Sequence, residues 1–174
     1  MTAKDTKDAS WDVLWAVQKS QRYHSRRTAF FDRWNKTTAL VGILGGSTAF
    51  AAVGKYVPET IGTIAAAFVV VMSGVDLVAS TGEMARRHND LRRRFCELEA
   101  EIRQCAAVED TVVASWQGKR LSIESDEPPT YVALDLLCEN ELARAYAHLS
   151  QSEPRHKVPW YMKRTAHFIR WENA

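Results

Sequence analysis

"TIGTIAAAFVVVMSGV", residues 60 to 75, contains no charged side chain, and the fold of the chain turns on what surrounds it. A helix of about 20 mostly apolar residues is long enough to cross a bilayer. Just upstream lies a second uncharged run, "TTALVGILGGSTAFAAVG", residues 37 to 54, whose 18 residues make roughly 27 Å of helix. Between them stands "KYVPET", with Pro58 as the breaker. A helix that is apolar all round offers no face to water, so it is either deeply buried or in lipid. A chain of 174 residues has little other mass with which to bury two of them. The pattern predicts an all-α protein with an antiparallel transmembrane hairpin over residues 37–81, its spans at about 37–56 and 60–81.

The small residues in these runs suit packing within lipid, where close backbone approach replaces the hydrophobic drive between helices. Gly42 and Gly46 form a GxxxG pair, and Gly62 and Ala66 a second small pair. Trp34 and Tyr56 flank the first run at headgroup level, where Lys36 and Lys55 can snorkel outward. Lys19, Arg22, Arg26, Arg27, Arg33 and Lys36 precede it, and Arg86, Arg87, Arg92, Arg93 and Arg94 follow the second run. Only Lys55 lies between, so the excess of positive charge predicts cytoplasmic termini and a small external tip. The polar positions inside the hairpin, Ser47, Thr48, Thr63, Ser73 and Asp76, are the candidates to line a pathway. For Asp76 two alternatives stand. One is an interfacial carboxylate locked to a basic neighbour such as Arg33 or Lys36. The other is a carboxylate facing a pore or cavity at the cytoplasmic mouth of an oligomer.

Outside the hairpin the chain is polar. Residues 1–36 read as an amphipathic cytoplasmic helix, with Ser10 as N-cap and Trp11, Leu14, Trp15, Phe30, Phe31 and Trp34 as its apolar surface. Residues 82–116 carry a heptad seam of Met84, His88, Leu91, Phe95, Leu98, Ile102 and Cys105, with Arg93–Glu97 and Glu99–Arg103 as exposed i,i+4 pairs. The seam predicts one continuous helix from about Thr60 to Ala107, roughly 70 Å long. His88 reads as a packed polar spacer, with no second ligand near it in sequence. Residues 117–129 read as a polar loop and residues 130–174 as helices that pack on the bundle. There Thr130 is a cap, and Tyr131, Leu134, Cys138, Leu142, Ala145 and Leu149 mark an apolar face. The tail "VPWYMKRTAHFIRW" suits either an anionic leaflet or docking on the bundle, and docking is the expectation.

A net charge of +2 gives no global pull toward nucleic acid. Three cysteines without a CxxC pair point to reduced thiols rather than a disulfide framework. The first 30 residues lack the features of a cleaved signal peptide. No phosphate-binding loop, dinucleotide fingerprint, zinc-protease or nucleophile-elbow motif occurs, and the five histidines are scattered. The expectation is a protein that is not an enzyme, with no cofactor and no metal.

The stretch "RYHSRRTAFFDRWNKTTALVGILGGSTA", the short hairpin, and "GVDLVASTGEMARRHNDLRRRFCELEAEI" together resemble the SLATT superfamily of bacterial two-span effectors. The resemblance covers roughly residues 10 to 150. It implies an oligomeric effector in the inner membrane of a bacterium, forming a pore or disrupting the membrane in an antiphage or conflict system. It also implies coupling to a separate sensor or nucleotide-signalling partner, because no nucleotide-sensing domain occurs within these residues. Two spans cannot enclose a water path alone, so homo-oligomerisation is part of this expectation, with membrane lipid as the other partner. The alternatives are a non-conducting membrane scaffold that recruits a cytoplasmic partner and, third, a holin-like lysis hairpin.

Overall fold

The computed structural model describes residues 3–46, 58–146 and 156–171, and every element among them is a helix. In chain order these are α1 (Ala3–Gly46), α2 (Glu59–Ala79), α3 (Thr81–Gln104), α4 (Asp110–Glu124), α5 (Val132–Ala145) and α6 (Trp160–Thr165). The all-α expectation holds. The chain divides into two compact units, Met1–Arg27 with His88–Ala174, and Thr28–Arg87.

The first unit is a helical bundle. The seam on α3 folds as its spacing predicts, with His88, Leu91, Phe95, Leu98 and Ile102 buried, and Met84 and Cys105 half-buried at its ends. Val13 and Val17 of α1, and Val113, Trp116 and Ile123 of α4, join that seam in one core. Polar pairs fix the register of α1 against α3. Gln18 Nε2 donates to Glu99 Oε1 at 2.6 Å, and Gln21 Nε2 donates to the Phe95 carbonyl at 3.1 Å. As the α1 number rises the α3 number falls, so the two helices run antiparallel. A second core joins Tyr23 to Ala133, Leu134 and Cys138 of α5 and to Val158, Met162 and Ala166 around α6. The tail therefore docks on the bundle.

Several boundaries differ from the sequence expectation. Residues 117–124, expected to belong to a polar loop, lie in α4. Val113, Trp116 and Ile123 share a face, and their burial outweighs the roughly 1 kcal/mol that Gly118 costs a helix interior. The turn falls earlier, at 105–109, after α3 ends at Gln104, where the Cys105 thiol donates to the Ala107 carbonyl. Pro128 and Pro129 hold the true loop open before α5, as proline does after a helix. Ser10 is no cap, because α1 already begins at Ala3. Thr130 does not cap α5 either. The N-cap residue is Tyr131, whose backbone N–H donates to the Tyr23 hydroxyl at 3.0 Å. Ala145 is exposed at the end of α5, and Leu149 lies outside the described residues.

Of the apolar surface expected on α1, Phe31 is buried and Leu14, Trp15, Phe30 and Trp34 are half-buried. Trp11 is exposed and rests edge-on against Tyr146. The buried positions include Val17, His24, Phe31 and Thr38, seven residues apart, together with Thr6, Val13, Gln18, Tyr23 and Arg27.

In the second unit α1 runs on to Gly46, so residues 37–46 are helical as expected for the start of a first span. The rest of that span, residues 47–56, lies outside the described residues, as do Ser47, Thr48, Lys55 and Tyr56. One described helix, α2, is long and apolar enough to cross a membrane, with mean hydropathy 2.1. The expected continuous rod from Thr60 to Ala107 is interrupted. Ser80 sits at φ 45° and ψ 51°, a left-handed conformation that ends α2, and α3 starts at Thr81. Gly82 lies beside the Asn35 side-chain amide.

Candidate functional site

Two features of the described residues are costly unless they serve a purpose: a pair of histidines sealed inside the bundle and an apolar helix that the chain leaves bare.

His24 and His88 are 0% and 1% exposed. Their Nδ1 atoms stand 2.9 Å apart, and His24 Nε2 stands 3.0 Å from Glu127 Oε1. Which ring nitrogen donates in each contact follows from the tautomers of the two histidines. Phe95 stacks on His24 with ring centroids 5.7 Å apart, and Tyr23 meets its edge at 5.3 Å. Burial raises the Tyr23 phenol above its ordinary pKa, against the hydrogen bond from the Tyr131 N–H, which lowers it. One turn on, Arg27 lies over the Tyr131 ring at 4.3 Å and donates to the His167 carbonyl at 2.8 Å. Its pKa is lowered, chiefly by burial. The result is a polar column that ties α1 to α3, to the loop after α4 and to the tail.

Glu127 connects this column to a cavity of about 320 Å³. Lys19, Arg120, Glu124 and Asp135 are among the other residues that line it. Lys19 pairs with Asp135 at 2.8 Å. Arg120 approaches Glu124 at 3.7 Å, while its buried Nε has no hydrogen-bond partner among the described residues. Among the described residues no group of three or more His, Cys, Asp and Glu side chains is placed to hold a metal.

The sequence expectation for His88 is thus corrected in one respect. It is a packed polar residue of the seam, but a second histidine does lie against it, supplied from 64 residues away by the fold.

The intramembrane candidates are distributed differently. Thr63 is exposed on α2 and its hydroxyl donates to the Glu59 carbonyl at 2.9 Å. Ser73 is exposed. Asp76 is half-buried and accepts from the Thr81 hydroxyl across the Ser80 break. Its partner is therefore neither Arg33 nor Lys36, and Lys36 turns instead to Asp32 at 3.3 Å. The structure brings Asp76 and Thr81 together but gathers no cluster of Thr63, Ser73 and Asp76. For the small residues, a Cβ added at Gly42 or Gly62 would meet nothing within 4 Å, so neither marks a close approach within the described chain. Ala66 is exposed, and Gly46 closes α1. The half-buried positions on α2 are Gly62, Ala65, Val69, Met72 and Asp76, a stripe with 3-4-3-4 spacing. The rest of the helix surface presents Ile61, Ile64, Phe68, Val70, Val71, Val75, Leu77 and Val78 to the surroundings.

No protein-family model, curated protein or solved structure matches the chain.

Proposed function

We propose that this chain is a membrane-embedded oligomeric effector, which forms a pore or disrupts the bilayer when a signal or partner acts on its helical bundle. The observation that carries the proposal is α2: 21 residues of high hydropathy, of which the apolar window is 0% buried by the chain itself. Burying one large apolar side chain is worth about 1.5–3 kcal/mol, so the eight exposed on α2 call for lipid or other copies of the chain. The SLATT resemblance supports the same conclusion, with both termini on the cytoplasmic side of a bacterial inner membrane. The 3-4-3-4 stripe on α2 is the edge suited to helix contacts, and it brings Asp76 into the same face.

A second function, a non-conducting membrane scaffold whose bundle recruits a cytoplasmic partner, is favoured by one detail. Asp76 is already hydrogen-bonded to Thr81, which is itself buried, so the carboxylate is engaged locally.

Purified full-length protein in liposomes separates the two. An effector releases entrapped dye or ions once triggered, and Asp76→Asn changes conductance or selectivity with the oligomer intact. A scaffold keeps the vesicles tight with and without that substitution. A chain that stays in the aqueous phase as a monodisperse particle without detergent overturns both.

A further inference from the structure

The tail that docks on the bundle has two faces of opposite character. Val158, Met162 and Ala166 are buried in the second core. Trp160 is 73% exposed, and Arg164, one turn on, is exposed beside it. At about 100° per residue these two lie opposite Met162, so docking leaves them pointing away from the bundle. Lys163, Phe168 and Ile169 are exposed in the same segment. Residues 156–171 include Lys157, Lys163, Arg164 and Arg170 and no Asp or Glu. Lys157, Lys163 and Arg164 form no ion pair with a described residue.

We propose that this face of the tail is a docking surface for an anionic lipid bilayer. The chemistry is that of an interfacial contact. Trp and Phe rings sit at the headgroup level, and each Lys or Arg near an anionic surface adds attraction that is screened within a Debye length. The uninterrupted positive sign is the complement of phosphatidylglycerol-type headgroups rather than of a neutral apolar groove. The surface is separate from α2 in sequence and is pre-formed, because Met162 already anchors it. It rests on the membrane function in one respect: a spanning α2 would hold the tail near a bilayer and raise its effective concentration there.

The test uses the full chain in nanodiscs of phosphatidylcholine alone or with 30% phosphatidylglycerol, probed by chymotrypsin. Cleavage at Trp160, Tyr161 and Phe168 should slow at least about fivefold with the anionic lipid, while cleavage at exposed Leu121 stays constant. Protection should fade in high salt, by the screening of surface charge. It should also fade in the triple variant Lys157→Gln, Lys163→Gln, Arg164→Gln, which leaves Met162 in place and so keeps the tail docked. Equal cleavage in the two lipids overturns the proposal, and leaves an acidic protein surface as the occupant to seek. If the chain fails to enter nanodiscs, the membrane function fails instead. Sedimentation with anionic vesicles then decides the docking surface: salt-sensitive binding lost in the triple variant upholds it, and no binding overturns it.

Discussion

His24 and His88 face each other through their Nδ1 atoms at 2.9 Å inside the bundle, one from α1 and one from α3. Removing one histidine strands a buried ring nitrogen, which typically costs about 1–3 kcal/mol, whereas replacing both with apolar groups of similar size costs less than the two losses combined. His88→Leu should therefore lower the unfolding midpoint clearly. The double variant His24→Leu, His88→Leu should lose less than the sum of the two singles. Thermal unfolding in detergent, run as a double-mutant cycle, measures the difference. Strict additivity would show that the two rings are not coupled.

Glu99 gives the acid side of stability its shape. Burial raises its carboxyl, but hydrogen bonds from Gln18, Arg103 and Gln21 outweigh that and hold it below the ordinary value. The unfolded chain therefore takes up this proton at a higher pH than the folded one. The stabilisation is complete above the ordinary carboxylate range and is lost as pH falls through the lowered folded value. In Glu99→Gln the acid limb of a stability–pH profile should flatten, with the neutral-pH midpoint also reduced. A profile parallel to that of the unaltered chain would rule this out.

The thiols should react in order of burial. Burial pushes the Cys138 thiol up to about 12, so at neutral pH it carries almost no thiolate, the reactive form. Cys96 and Cys105 are only half-buried. Iodoacetamide on the native chain should label Cys96 and Cys105 first, with Cys138 modified only on unfolding. Mass spectrometry of a time course reads this directly, and early labelling at Cys138 would contradict the packing of α5.

Gly118 lies in the interior of α4 with nothing within 4 Å of an added Cβ. Gly118→Ala should stabilise the bundle by about 1 kcal/mol through helix propensity alone, raising the thermal midpoint by a few degrees. An unchanged or lowered midpoint would mean that α4 is not helical there.

The architecture was legible where period and polarity agreed. The 3-4 spacing from Leu91 to Ile102 is filled by large apolar residues, and each of those seam positions is buried. Along α1 the same period is present at Val17, His24, Phe31 and Thr38, but half its occupants are polar. Of the apolar residues expected on α1 only Phe31 falls on that repeat, and the histidine pair leaves no local signal because its halves are far apart in sequence. The seven-residue repeat, followed without regard to polarity, points to His24 directly. The α4 helix was hidden by Gly118 and its charged neighbours, where one tryptophan and two aliphatic side chains outweigh local propensity. The interruption at Ser80 had no signal at all, since serine seldom adopts a left-handed conformation.

The bare face of α2 has a consequence for how the chain must be made. Nothing among the described residues conceals Phe68, Val70, Leu77 or Val78, so a finished copy released into water would meet other copies through these side chains. The moment of hazard is therefore synthesis, when residues 59–79 leave the ribosome before the helices that follow them exist. Delivery of that segment to its final surroundings has to keep pace with translation.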